Sequence, residues 1–153
     1  MRERALLVAG VIPVLWLGFV LAISFMEAPL KFTVPQASYV AALSIGQVVF
    51  RAMARVELTL LIALIVIYAL TSWPPGAERW LWVLAAVVLV QHLWLLPELD
   101  ARTTQLVAGH PAPTAGYLHT LYVASDCAKV VLLPAISWSL LRTLGPIAAG
   151  GAA

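Results

Sequence analysis

Charge and cysteine are what this sequence has least of. Only 10% of its 153 residues are Asp, Glu, Lys or Arg, where an ordinary soluble domain carries about 25%. Cys127 is the single cysteine, which excludes an intramolecular disulfide, a C-x-x-C redox pair and a thiolate zinc cage. In its apolar run it reads as a small filler of a helix. The formal net charge is +2 and the basic residues are scattered, so no electrostatic footprint for nucleic acid exists and none is expected as a partner. The sequence has no G-x-S-x-G, H-E-x-x-H, P-loop or Rossmann glycine pattern. Any enzyme here would have to work with Asp, Glu, His and Lys alone, and nothing picks out a nucleophile.

What is present is apolar. Hydrophobic residues make up 63% of the chain, against about 45–50% in soluble domains. That excess implies a bilayer as solvent. The first long run, 5–26, holds no charged residue. It therefore lacks the mid-helix glutamate of small multidrug exporters, and the lone cysteine lacks the pair of vitamin K reductase-type enzymes. Arg2 and Arg4 ahead of that run suggest a signal peptide. The run is too long for a typical apolar signal region of about 7–15 residues, however, and reads as a retained membrane span.

Three further runs have their most apolar parts at 58–70, 79–96 and 117–144. Proline and glycine punctuate 27–36 (Pro29, Pro35), 72–78 (Pro74, Pro75, Gly76) and 109–116 (Pro111, Pro113), marking turns. The expected fold is an all-α integral membrane protein. It is one domain, an antiparallel up-down bundle of four transmembrane helices at about 5–26, 38–72, 79–108 and 116–144, with a flexible tail at 145–153. Pro13 predicts a kink in the first helix. The second helix, unbroken over about 35 residues, would measure about 50 Å against a hydrocarbon core of about 30 Å. Helices 2 to 4 are accordingly expected to extend beyond the bilayer on one side.

Both termini and the 72–78 turn fall on one face, side A. Counting about 20 residues from side A along each helix reaches Met26, Ala52, Asp100 and Ser125. Around those points stand Glu27 and Lys31; Arg51, Arg55 and Glu57; Glu98, Asp100 and Arg102; Asp126 and Lys129. These charges are expected to form one layer near side B. Most side-B cations have acids nearby, whereas the terminal Arg2 and Arg4 are free to act as retention signals, so side A and both termini are expected in the cytoplasm of a cell-membrane protein. Trp73, Trp80, Trp82 and Trp138 fit an aromatic belt at side A.

The fourth helix carries His119, Tyr122, Asp126 and Lys129 at spacings of 3, 4 and 3, which puts all four on one helical face. Ser44, Gln47, Arg51 and Arg55 share a face of helix 2; Gln91, Glu98 and Arg102 share one of helix 3. The structural interpretation pairs Asp126 with an arginine and Lys129 with Glu98 or Glu57, fixing helix register. The functional interpretation makes Arg51, Arg55, Glu57, Glu98, Asp100, Arg102, His119, Tyr122, Asp126 and Lys129 the walls of a polar pocket, since ionisable groups inside a membrane are functional candidates by default. His92 is expected about three turns below His119, too far to share a metal or haem; no cofactor is identified. Glu27 and Lys31 read as a cap on helix 1, with Lys31 snorkelling to the headgroups; a second reading makes Glu27 a lid over the layer. Val130 is expected to face lipid.

The expected function is therefore binding or transport of a small polar or anionic ligand or ion. Its alternatives are a non-catalytic accessory subunit of a larger membrane complex, and an acid/base enzyme using Asp126 and His119. Membrane lipid, a second copy of the chain or a larger complex are the expected partners.

Overall fold

The computed structural model describes residues 1–111 and 116–144. Those residues contain helices and connections and no strand. Four helical stretches are long and apolar enough to cross a membrane: α1 (Arg2–Thr33), α2 (Tyr39–Leu70), α3 (Ala77–Val107) and α4 (Gly116–Leu141). The expected tail at 145–153 and the centre of the 109–116 turn, with Pro113, lie outside the described residues.

The local chemistry explains most boundaries. Ser38 caps α2, its Oγ accepting from the Ala41 N–H at 3.1 Å. Gly76, at φ 84°, turns the chain into α3 through a left-handed conformation open to glycine. Gly109, at φ 76°, ends α3. There the His110 N–H donates to Gln105 O and the Gly109 N–H to Leu106 O, the paired bonds of a Schellman cap.

The sequence expectation of a turn from residue 27 is not met, because α1 runs on through Glu27 and Pro29 to Thr33. A proline lacks the N–H that would bond the carbonyl four residues earlier. Just before Pro29 the helix widens into a π-helical segment, Leu21–Glu27, and just before Pro97 into another, Gln91–Leu95. Each contains the residue four before its proline, so the wider turn absorbs the defect without breaking the helix. Pro13 and Pro134 also sit within continuous helix.

Chain directions can be followed through contacts. From one end of α1 to the other, Arg2 Nη2 donates to Ser72 O (3.0 Å), Trp16 Nε1 to Glu57 (3.0 Å), and Ser24 Oγ lies 3.9 Å from Met53 Sδ. Lys31 then lies against Gly46. The α2 partner number falls as the α1 number rises, so these neighbours run oppositely. Near its start α1 also meets the end of α4: Ser137 Oγ donates to Gly10 O at 2.7 Å, and a Cβ on Gly10 would collide with Leu141. A small residue lets side chains of the neighbouring helix seat against the α1 backbone in this way. Trp16, Leu64, Leu81, Leu84, Leu133, Ile136 and Leu140 fill the apolar core. Only 28–39% of each apolar window is buried, so most of these side chains look outward: Leu93, Val131 and Trp138 are at least 70% exposed. Val130 packs partly buried against the core, and Val131 beside it is the outward residue.

Candidate functional site

Four buried polar side chains from α2, α3 and α4 converge, joined by a tryptophan from α1. Lys129 Nζ lies 2.5 Å from Glu57 Oε1 and 2.8 Å from Asp126 Oδ1. Asp126 Oδ1 also accepts from Gln91 Nε2 at 2.9 Å, and Glu57 Oε1 accepts from Trp16 Nε1. Glu57, Gln91, Asp126 and Lys129 are each at most 2% exposed. Placing these groups away from water is costly unless each charge is matched. Lys129 matches two carboxylates at once, leaving the cluster with two acids and one base. Its accounting is incomplete in one place: Asp126 Oδ2 and Gln91 Oε1 are buried with no hydrogen-bond partner among the described residues.

Asp126 also borders a cavity of about 470 Å³ walled by all four helices, within the range of ligand pockets, about 300–1,000 Å³. From α1 come Ser24, Phe25, Ala28, Pro29, Lys31 and Phe32; from α2, Leu43, Gly46, Gln47 and Phe50. From α3 come Leu96, Leu99, Asp100 and Thr103, and from α4 His119, Tyr122, Val123 and Asp126. The wall is largely apolar and aromatic. Phe50 and Tyr122 meet edge to face at 5.4 Å between centroids. Glu57 borders a separate apolar crevice of about 200 Å³ between α1 and α2.

A more exposed polar group stands at the rim. Arg51 Nε meets Asp100 Oδ2 at 2.5 Å, and Gln47 Nε2 donates to Asp100 O (3.1 Å) and Thr104 Oγ1 (3.0 Å). Lys31 pairs with Glu27 at 3.6 Å across one helical turn and stands over the Phe50 ring at 5.0 Å. Gly46 makes room for it, since a Cβ there would occupy the place of the Lys31 ammonium. The chain has only two lysines: Lys31 at the cavity wall and Lys129 in the cluster.

The residues expected to share one layer thus divide between depths. Glu57, Asp126 and Lys129 form the buried cluster, with Tyr122 beside it. Arg51 and Asp100 form the rim pair. His119 borders the cavity from an exposed position. Arg55 and Glu98 point outward and Arg102 is half-buried, none of them in an ion pair among the described residues. Asp126 pairs with Lys129 and Gln91, where an arginine was expected. Counting from side A had set Asp126 level with Asp100; in the structure Gln91 faces it, fourteen residues above Ala77 as Asp126 is fifteen from Leu141. The ends of α3 and α4, taken two or three residues too late in the sequence, account for part of that shift.

Gln91 and Trp16 were not among the expected site residues. Gln91 is signalled by being the one amide in a long apolar run; Trp16 has no such mark, because the sequence does not tell it from the other five tryptophans. His92 sits at the wide turn of α3, its Nδ1 2.9 Å from Val88 O and its Nε2 2.6 Å from Ala54 O. It ties α3 to α2. Among the described residues no three His, Cys, Asp or Glu side chains gather as metal ligands would.

The chain matches no family model, no curated protein and no solved structure.

Proposed function

We propose that this chain is a multi-pass protein of the cell membrane that binds a small amphiphile in the four-walled cavity, the ligand offering a hydrogen-bond donor to Asp126. Four helices, each longer than the about 20 residues needed to span hydrocarbon, support the membrane assignment. The oppositely running neighbours support an up-down bundle. Arg2 beside Ser72, and Gly10 beside Leu141, support a common side for the N-terminus, the α2–α3 turn and the end of α4. Arg2, Arg4 and Arg79 favour the cytoplasm for that side. At 32 residues, α2 would measure about 48 Å, which favours an extension beyond the bilayer at side B.

The observation that carries the binding reading is the double role of Asp126. One oxygen is committed to Lys129 and Gln91; the other has no partner, and the residue borders the cavity. A buried acceptor left in this state costs about 1–3 kcal/mol, which a ligand N–H or O–H at Oδ2 would relieve. The same oxygen disfavours a simple anion, so the ligand class narrows from polar or anionic to one with a donor or cationic head on an apolar body. Phe25, Phe50, Leu99 and Val123 suit that body. No reaction is proposed.

The test uses the full chain in detergent with dansylcadaverine, a fluorescent primary amine. Saturable binding is expected, weakened about tenfold by Asp126→Asn, which keeps the acceptor for Lys129 and replaces Oδ2 with a donor. Leu43→Trp should abolish binding by filling the cavity, and Val131→Ala should leave it unchanged. Absence of saturable binding, or equal binding by Asp126→Asn and Leu43→Trp, would discard the pocket in favour of the accessory-subunit reading.

A further inference from the structure

We infer that the ligand is a zwitterion, with a primary ammonium held by Asp126 and a phosphate group held by Lys31, as in a phosphoethanolamine headgroup. This inference rests on the binding reading above and narrows it. Two incomplete groups of opposite sign border the same cavity. Lys31, with its side chain 9% exposed, carries three N–H donors, and its nearest carboxylate lies at 3.6 Å, beyond hydrogen-bond reach. It makes no hydrogen bond among the described residues and rests instead over Phe50. Asp126 has the complementary deficit, an acceptor without a donor.

A ligand with one sign of charge serves only one of them. An anion would satisfy Lys31 but enter a cavity bordered by both aspartates of the chain, Asp100 and Asp126. A cation would satisfy Asp126 but leave Lys31 without hydrogen bonds and add a like charge to its cavity. A zwitterion supplies acceptors to Lys31 and a donor to Asp126 while adding no net charge. Hydrogen-bond inventory also chooses the kind of ammonium: Oδ2 needs an N–H, which a primary ammonium has and a trimethylammonium lacks. The apolar wall beside both groups suits acyl chains, which makes a membrane lipid the favoured carrier of the headgroup.

The test offers the detergent-solubilised protein equal amounts of phosphatidylethanolamine, phosphatidylcholine and phosphatidylglycerol with identical acyl chains, and native mass spectrometry counts bound lipid. Phosphatidylethanolamine is expected to be retained about tenfold better than the other two. Lys31→Met should remove that preference without weakening dansylcadaverine, which gains from the loss of a like charge in the cavity; Asp126→Asn should weaken both. Gly46→Ala, which displaces the Lys31 ammonium without removing it, should reproduce the Lys31→Met result by a second route. Equal retention of phosphatidylethanolamine and phosphatidylcholine would overturn the zwitterion, as would undiminished retention by Lys31→Met, while amine binding would still stand. Loss of dansylcadaverine binding in the wild type would instead remove the site itself. Free phosphoethanolamine separates the sources. If it displaces dansylcadaverine as well as the lipid does, the zwitterion is water-soluble; displacement by the lipid alone makes it a membrane component; displacement by neither overturns the inference.

Discussion

Lys129 and Glu57, 72 positions apart in the chain, meet as a buried ion pair that joins α4 to α2. Both residues are buried, so the charge of Glu57 depends on Lys129, and that of Lys129 on Glu57 and Asp126. Removing the cation alone strands Glu57 and Asp126 together. Lys129→Met is therefore expected to lower the unfolding free energy by about 3–5 kcal/mol, read by denaturant titration in bicelles. Adding Glu57→Gln should restore part of the loss, because one of the two stranded charges goes with it. An unchanged titration for Lys129→Met would mean that the pair does not hold the helices together.

Trp16 extends the same network to α1. Its indole N–H donates to Glu57 from a fully buried ring. Trp16→Phe keeps most of the ring and deletes the donor. Hydrogen bonds to charged groups contribute about 1.5–3 kcal/mol, and a loss of that size is the expected outcome. Trp138→Phe, at an outward position 70% exposed, should leave the unfolding curve where it was.

How much of this was legible in the sequence depended on the kind of signal. Apolar runs separated by proline and glycine located the four helices, because their length and composition need no partner to be read. The face carrying Tyr122, Asp126 and Lys129 was legible from its spacing. Which charges meet was legible only in part: Lys129 meets Glu57, one of the two acids expected for it, whereas Asp126 meets no arginine. Helix pairing depends on where each helix begins and ends, and prolines mislead there: Pro29 looked like a stop, yet the π-helical turn before it carries α1 on to Thr33. The continuation brings Lys31 to the cavity, a placement that no count of residues could supply. Arg55 and Glu98 share a helical face with residues that do point inward, and only packing distinguishes them.

Two glycines of α1 make a matched pair. A Cβ on Gly10 would strike Leu141, whereas one on Gly18 meets nothing within 4 Å. Gly10→Ala should therefore force α1 and α4 apart at a cost of about 1–3 kcal/mol. Gly18→Ala should be neutral, or stabilise by up to about 1 kcal/mol through helix propensity. Thermal unfolding of both variants in one detergent tests the crossing directly. Equal behaviour would place the close approach elsewhere.

Topology can be tested by labelling. Arg2 bonds to the backbone of Ser72, so position 3 and the turn at Gly76 belong to one end of the bundle. His110, beyond the C-terminal cap of α3, belongs to the other if α3 crosses the bilayer. Cys127 is the one native cysteine and has an exposed side chain, so the experiment starts from Cys127→Ser, which leaves each introduced cysteine as the single thiol. In that background Glu3→Cys and Gly76→Cys should react with a membrane-impermeant maleimide only when the cytoplasmic face is accessible. His110→Cys should react in intact cells. This expected direction follows from the proposed orientation, in which the arginines at the starts of α1 and α3 are retained in the cytoplasm. The opposite reactivity at all three positions would keep the fold and invert its orientation. Reaction of positions 3 and 76 from different faces would contradict the pairing of α1 with the α2–α3 turn, and with it the bundle that brings Lys31 and Asp126 to one cavity.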